Sequence, residues 1–281
     1  MSVMSLEQSL AEPALRGPKS VEAIVNYLRP MADRPWSDVV DQTKRNYEIE
    51  PTMVRIENAW PMVERLSLKD QGFIVRKHVS AITDYHDDAA LMSVYAREME
   101  ALVKELTGAD KAVVLETPVT RFSGRSRIQP AYNVHMDFTY EGLANRMVER
   151  GIDLTSPEYR DFNRICVYQT WRALSGPGQG SALAFADGHS VPAKDAIEAD
   201  FIRYHLDSEP GYNQFFLCNP NPDHRWYYFP RLEQDELLVW TGLDPADRAM
   251  LPMHTAFIDA TEQDAPPRDS IETRVYTFFR D

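Results

Sequence analysis

Cysteine is almost missing from this 281-residue chain. Cys166 and Cys218 are the only two, too few for a disulfide-stapled secreted framework and too far apart in the chain for the closely spaced cysteine pair of a structural zinc site. No apolar run approaches the roughly 18 residues that a membrane-spanning helix needs. Residues Met1 to Leu10 lack a basic stretch followed by an apolar core, so the expectation is a cytoplasmic protein with no membrane partner. Basic charge is also in deficit. Lys and Arg total 30 against 43 acidic residues, a net charge of −13, which disfavours a broad nucleic-acid footprint. The 12 glycines form no phosphate-binding loop, and no internal repeat is visible. What is present is 43% hydrophobic residues, enough for a full core.

Against that background, two imidazoles and a carboxylate stand in an order with chemical meaning. His135-Met136-Asp137 follows the strand-like segment Ala131-Tyr132-Asn133-Val134. Residues i and i+2 of a strand share a face, so His135 and Asp137 can offer nitrogen and oxygen to one metal. A second strand has to deliver His254, 117 positions after Asp137. Two His and one carboxylate are the ligand set of a non-haem Fe(II) oxygenase, and they leave up to three positions for a bidentate keto acid and dioxygen. Two other pairs compete for the metal. His86-Asp87-Asp88 leads into apolar residues at helical spacing up to Leu106, so Asp87 or Asp88 reads as a helix N-cap. Asp187-Gly188-His189 lies in a turn-forming stretch, where Asp and Gly serve the backbone.

The C-terminal run adds weight to the first pair. After Pro266 and Pro267 comes Arg268-Asp269-Ser270, opening a β-rich alternating segment that continues to Phe279 and reads as the last strand. A guanidinium forks onto a carboxylate through two parallel hydrogen bonds, and a nearby Ser hydroxyl can add a third donor. Arg268 with Ser270 therefore suits the distal carboxylate of 2-oxoglutarate.

Taken together, His135-x-Asp137, His254 and Arg268-x-Ser270 resemble the iron- and 2-oxoglutarate-dependent dioxygenases. The phrases Leu66-Ser67-Leu68-Lys69-Asp70-Gln71-Gly72-Phe73, Tyr168-Gln169-Thr170-Trp171-Arg172, His224-Arg225-Trp226-Tyr227-Tyr228-Phe229-Pro230 and Met253-His254-Thr255-Ala256-Phe257 are similar to one branch of them. That branch is the gibberellin-desaturase-like, or CmcJ/NvfI-like, secondary-metabolite oxygenases. The resemblance runs from about residue 54 to the C-terminus. It implies an α+β protein with a double-stranded β-helix (jelly-roll, cupin-like) core and flanking helices. It also implies Fe(II) held by His135, Asp137 and His254, with 2-oxoglutarate and O2 as cosubstrates of an enzyme that hydroxylates, desaturates or otherwise oxidises a small molecule. The long interval before His254 implies an insertion over the site. On the last strand residues 272, 274, 276 and 278 share one face. Arg274 can thus point into the barrel, where a buried Arg needs an anion. Arg268 with Ser270 is the preferred clamp and Arg274 the alternative.

Residues 1–50, with Pro13, Pro18, Pro30 and Pro35 and a short helical pattern at Val21–Leu28, read as an arm plus one helix. Residues 51–281 read as a single oxygenase domain. Within it, Met53 to Ile82 is strand-like, a helix runs from about Asp88 and ends at Gly108, and a helical excursion follows Asp137. Ala112–Thr117 and residues 131–138 are expected to pair. Strands are expected at 165–174, 183–186, 214–218, 226–230 and 236–240. Aromatics of a β-rich chain more often fill the core than line a pocket. Tyr132, Trp171 and Tyr212, with Arg172 as either a surface charge or a second anion ligand, are the substrate candidates. His205 and His224 are expected at the surface or just behind the site. A homo-oligomer is compatible with all of this. Two further readings stay open: an Fe(II) oxygenase that does not use 2-oxoglutarate, and a non-catalytic small-molecule-binding β-barrel.

Overall fold

The computed structural model describes residues 16–38, 41, 43–123, 130–178, 180–202, 213–247 and 250–280. Among these residues fifteen strands follow one another: β1 (Ser20–Leu28), β2 (Trp36–Asp38), β3 (Ile49–Asn58), β4 (Phe73–Lys77), β5 (Lys111–Val113), β6 (Val119–Arg121), β7 (His135–Met136), β8 (Arg164–Ala173), β9 (Ser181–Ala186), β10 (Ala196–Ile202), β11 (Asn213–Cys218), β12 (Trp226–Tyr228), β13 (Glu236–Leu243), β14 (His254–Ile258) and β15 (Ser270–Phe279). They form a nine-stranded sheet, β1-β3-β12-β9-β14-β7-β11-β10-β2, and a six-stranded sheet in which β4-β13-β8-β15-β5 is the path and β6 also pairs with β15. The two inner faces meet through aromatic rings. Phe73 of β4 stacks on Phe185 of β9 at 5.0 Å between centroids, and Phe185 lies 5.3 Å from Trp240 of β13. This is the expected jelly-roll.

The outer face of the six-stranded sheet is covered by helix. A turn α1 (Asp88–Ala90) passes through a π-helical turn, Leu91–Tyr95, into α2 (Ala96–Thr107). Asp87 caps it as the sequence suggested, accepting hydrogen bonds from the Ala89 and Ala90 amides, and Gly108 ends it at φ 69°, a left-handed cap that glycine adopts without a Cβ penalty. Tyr95, Met99 and Val103 are buried, so β8, β13 and β15 have covered faces on both sides. That explains why β13 is buried at every position. Its first residue, Glu236, is fully buried and is neutralised by Arg16 at 2.6 Å and Lys77 at 3.3 Å.

Several expectations are corrected. The helical pattern at Val21–Leu28 is strand β1. Val21, Ala23, Val25 and Tyr27 are buried while Glu22 and Ile24 are exposed, and β1 pairs antiparallel with β3 from Ser20↔Glu57 to Leu28↔Ile49. A short apolar segment fits both periods, and pairing along its whole length decides for the sheet. Residues 111–113 and 135–136 do not pair with each other, because the first joins β15 and the second joins β11 and β14. The stretch from 53 to 82 is two strands separated by a 3-10 turn, Trp60–Arg65. β10, which sequence reading missed, pairs with β11. The helical excursion is α3 (Tyr140–Glu149), capped by Thr139. His205 and Tyr212 lie outside the described residues.

His224 is buried rather than superficial. Its Nδ1 is 2.9 Å from the Tyr27 hydroxyl, which also accepts from Trp226 Nε1 at 2.9 Å. Its Nε2 sits 3.3 Å from Asp195 Oδ2 but out of line for a hydrogen bond. Burial lowers the pKa of His224 below its ordinary 6.5 against the pull of Asp195, and burial and the Arg172 guanidinium lower that of His78. For a His with a depressed folded pKa, the stabilisation is complete above 6.5 and is lost as pH falls through the folded value. Resistance to urea should therefore decline from pH 7 towards pH 5, and His224→Gln should remove part of that decline. An unfolding midpoint equally pH-dependent in wild type and His224→Gln would contradict this assignment.

Candidate active site

His135 and His254 become neighbours through strand pairing: they face each other directly between β7 and β14, with ring centroids 4.3 Å apart. Asp137 follows β7 at the bend into α3. One ligand atom from each of His135, Asp137 and His254 lies within 4.8 Å of the other two, with His135 Nε2 3.8 Å from Asp137 Oδ1. No other group of this kind occurs among the described residues. The Nδ1 of His135 is 2.6 Å from the Asn133 carbonyl. That partner fixes Nδ1 as the protonated nitrogen and leaves the lone pair of Nε2 towards Asp137. Burial and the neighbouring His135 push the pKa of His254 down to about 3, so it stays neutral, and its Nδ1 is buried without a hydrogen-bond partner among the described residues. Burial alone would raise the Asp137 carboxyl, but Arg274 and the two imidazoles hold it well below the usual carboxylate range. Two imidazoles beside an ionised carboxylate are a donor set that suits Fe(II).

Behind Asp137 runs a series of charges that alternate in sign. Arg274 Nη2 lies 3.4 Å from Asp137 Oδ2 and 3.2 Å from Glu272 Oε1, and Nη1 lies 3.6 Å from Glu116 Oε1. The second oxygen of Glu272 takes Arg121 at 3.0 Å. Gln169 Nε2 donates to Asp137 Oδ2 at 2.5 Å. Cross-strand pairing of Glu272 with Trp171 and of Arg274 with Gln169 puts all four on the inner face. None of Gln169, Glu272, Arg121 and Glu116 was singled out from the sequence. The one available signal was parity, since Gln169 shares a strand face with Trp171.

Arg268 has a different environment. Its Nη1 donates to the Ser181 carbonyl at 3.2 Å and its guanidinium lies 5.5 Å from the centre of the Trp171 ring. Part of the side chain is open to solvent, yet Nε is buried and unpartnered, and no carboxylate forms an ion pair with it among the described residues. Burial and the nearby Arg121 push its pKa down to about 10, so it remains charged at neutral pH. Ser270 Oγ, on the same strand face as Glu272 and Arg274, is likewise buried without a partner. Tyr132 donates to Ser181 Oγ at 3.1 Å. The structure thus gathers Arg268, Trp171 and Tyr132 around Ser181.

The remaining candidates fall elsewhere. Arg172 points away from Trp171 into the helix layer, where it donates to the carbonyls of His78 (2.8 Å) and Gln234 (2.6 Å) and to His78 Nδ1 (2.6 Å). It is neither a surface charge nor an anion ligand beside the triad. His86 is exposed and stacked on Phe122, and His189 bonds the Asp70 carbonyl.

A family model described as an oxidoreductase/YMDC permease-like domain matches residues 25–278. The Fe(II)/2-oxoglutarate-dependent dioxygenase nvfI of Aspergillus novofumigatus is 30% identical over 255 residues, covering 84% of this chain and 87% of that protein. The chain belongs to this family, a branch of the Fe(II)/2-oxoglutarate-dependent dioxygenases. Other relatives of the dioxygenase are the alpha-ketoglutarate-dependent dioxygenase phiK of a fungal species, 25% identical over 92% of this chain and 96% of that one, and the gibberellin cluster GA4 desaturase of Gibberella fujikuroi, 24% identical over 93% and 96%. The solved structure of the iron and alpha-ketoglutarate-dependent endoperoxidase NvfI superposes with a TM-score of 0.80 at 26% identity, covering 93% of this chain and 98% of that one. No helix among the described residues is long and apolar enough to cross a membrane.

The two arginines of the dioxygenase should respond oppositely to truncation in the metal-free protein. Arg274→Leu leaves three carboxylates without their shared cation, and breaking such a cluster costs about 3–5 kcal/mol. Arg268→Leu removes a desolvated cation that has no counter-charge, and should leave stability to urea unchanged or higher. A loss in Arg268→Leu as large as in Arg274→Leu would show that Arg268 is structurally paired after all.

Proposed function

We propose that the chain oxidises a small molecule of the secondary-metabolite type, with His135, Asp137 and His254 as Fe(II) ligands and Arg268, assisted by Ser270, as the receptor for the C5 carboxylate of 2-oxoglutarate. The observation that carries this reading is the contrast between two inward arginines. Arg274 already has three carboxylates around it, whereas among the described residues Arg268 has none, and the buried hydroxyl of Ser270, two positions on, has no partner. A carboxylate arriving there would neutralise the one guanidinium and accept from the other donor. When bound, the metal supplies activation of O2 at the expense of the keto acid, for attack on a substrate C–H bond.

The chain's own residues do the rest. The Asn133 carbonyl orients the His135 ring through Nδ1, and Trp240 and Phe185, with ring centroids 5.1 and 6.2 Å from the His254 ring, keep that ligand among apolar groups. Trp171 and the Ser181 carbonyl orient Arg268, and Tyr132 closes the same corner. Tyr132 and Trp171 are therefore the substrate-side candidates. The relatives carry names that include desaturase, hydroxylase and endoperoxidase. The outcome of oxidation follows from where the substrate is held, a property of the pocket and not of the triad. In this reading residues 51–281 are one oxygenase domain, and β1 and β2 from the preceding segment complete its larger sheet.

Anaerobic addition of 2-oxoglutarate to the Fe(II) protein should produce a weak visible metal-to-ligand charge-transfer band. Iron binding without that band would favour an oxygenase independent of the keto acid. His135→Ala, Asp137→Ala and His254→Ala should each lose the metal and turnover, whereas His86→Ala and His189→Ala keep both.

Arg268→Leu should raise the 2-oxoglutarate requirement by roughly 30- to several-thousand-fold, the equivalent of about 2–5 kcal/mol for removing the partner of a desolvated carboxylate. Should Arg274→Leu fold and show that defect while Arg268→Leu binds the keto acid normally, the clamp belongs to Arg274.

A further inference from the structure

Gln169 stands at the centre of β8 with its amide committed to the metal-site carboxylate. Its Nε2 is 2.5 Å from Asp137 Oδ2 and 3.4 Å from Glu272 Oε1. Two carboxylate oxygens on that side require the NH2 group there, since an amide oxygen would repel both. The opposite end, Oε1, is buried with no hydrogen-bond partner among the described residues. It faces Gly242 of β13, where an added Cβ would lie 2.7 Å from Gln169 Oε1 and 3.2 Å from the Val167 carbonyl. Gly242 lies where the β13–β8 register shifts, between Thr241 and Leu243, a common place for a glycine within a strand, and its missing side chain leaves room there for the close approach of Gln169. The orphaned oxygen and the missing side chain beside it both point to an amide held in place for its NH2 end.

The consequence concerns how many oxygens Asp137 can present. Oδ2 is engaged by Gln169 and Arg274, while Oδ1 lies on the side of His135 Nε2, at 3.8 Å. We propose that Gln169, seated by Gly242, is a positioning residue that withholds Oδ2 of Asp137 from the metal. Asp137 then gives one oxygen, and the position that a second would occupy stays open for cosubstrate. Arg274 supplies charge from 3.4 Å, but the short directional contact is that of Gln169. This inference rests on the assignment of His135, Asp137 and His254 as the ligands.

Co(II) serves as the probe, because its visible ligand-field bands report coordination number without turnover. The full-length wild-type, Gln169→Leu, Gly242→Ala and Gln169→Leu/Gly242→Ala proteins are titrated anaerobically with Co(II) and then with 2-oxoglutarate, with His135→Ala as the ligand-loss control. Loss of a partner behind a metal ligand typically weakens metal affinity 10- to 100-fold, and that loss is expected in Gln169→Leu. Its Co(II) bands should also be weaker and shifted, as a second carboxylate oxygen enters, and should change less when 2-oxoglutarate is added. Gly242→Ala should reproduce the effect by displacing an intact Gln169. The double variant should be no worse than Gln169→Leu, since both act through one side chain. Wild-type affinity and unchanged bands in Gln169→Leu would overturn the proposal, as would additive losses in the double variant. If Gln169→Leu does not fold, Gly242→Ala decides alone, by the same bands. Wild-type protein that fails to bind Co(II), or His135→Ala that binds it normally, would instead sink the ligand assignment itself.

Discussion

A carboxylate kept ionised between two β-sheets is the constraint around which the site is organised. Asp137 is largely withdrawn from water, its side chain 16% exposed, and that burial by itself would favour its protonated form. A metal site needs the anion. Arg274 resolves the conflict from β15 in the facing sheet, and its own burial is in turn made tolerable by Glu272 and Glu116. Glu272 then requires Arg121. Each charge is stable only because the next one is present, which is how a buried ionic group avoids the desolvation cost that would otherwise exceed its Coulombic gain. The double cover of β8, β13 and β15 serves the same end, because it excludes water from the network.

The same physics separates an arginine ringed by carboxylates from one with none beside it among the described residues. Arg274 and Arg268 lie on one segment only six positions apart, and residue type alone does not distinguish them. Their surroundings do. One is saturated with carboxylates. The other rests on an indole and a backbone carbonyl, with its pKa pushed down to about 10. A folded protein that keeps an uncompensated cation loses stability for as long as the ligand is away, a cost typical of binding sites. This is a physical reason to place the keto acid at Arg268 that does not depend on kinship.

Much of the site could be read in the chain. His135 and Asp137 were legible because i and i+2 share a strand face, and the competing pairs at His86 and Asp187 were legible as cap and turn, which is what they are. Gln169 and Glu272 were not, because a polar residue on a strand looks the same whether it faces water or a buried carboxylate. Arg172 shows the converse error. Alternation put it on the face opposite Trp171, as a surface charge or an anion ligand, but the face it occupies is the helix layer, where it bonds His78 and Gln234.

The sequence by itself determined the residue types, their order and the periodicity of the long strands and the capped helix. Those follow from local chemistry: alternation for β8 and β15, an Asp cap and a Gly stop for the helix. Only the tertiary structure decided that Val21–Leu28 is a strand and that His254 lies opposite His135. It also decided which arginine has carboxylates around it and which has none among the described residues. Each of these depends on a partner distant in the chain, and hydrogen bonds and ion pairs between distant segments have no local signature until the sheets close and remove the water between them.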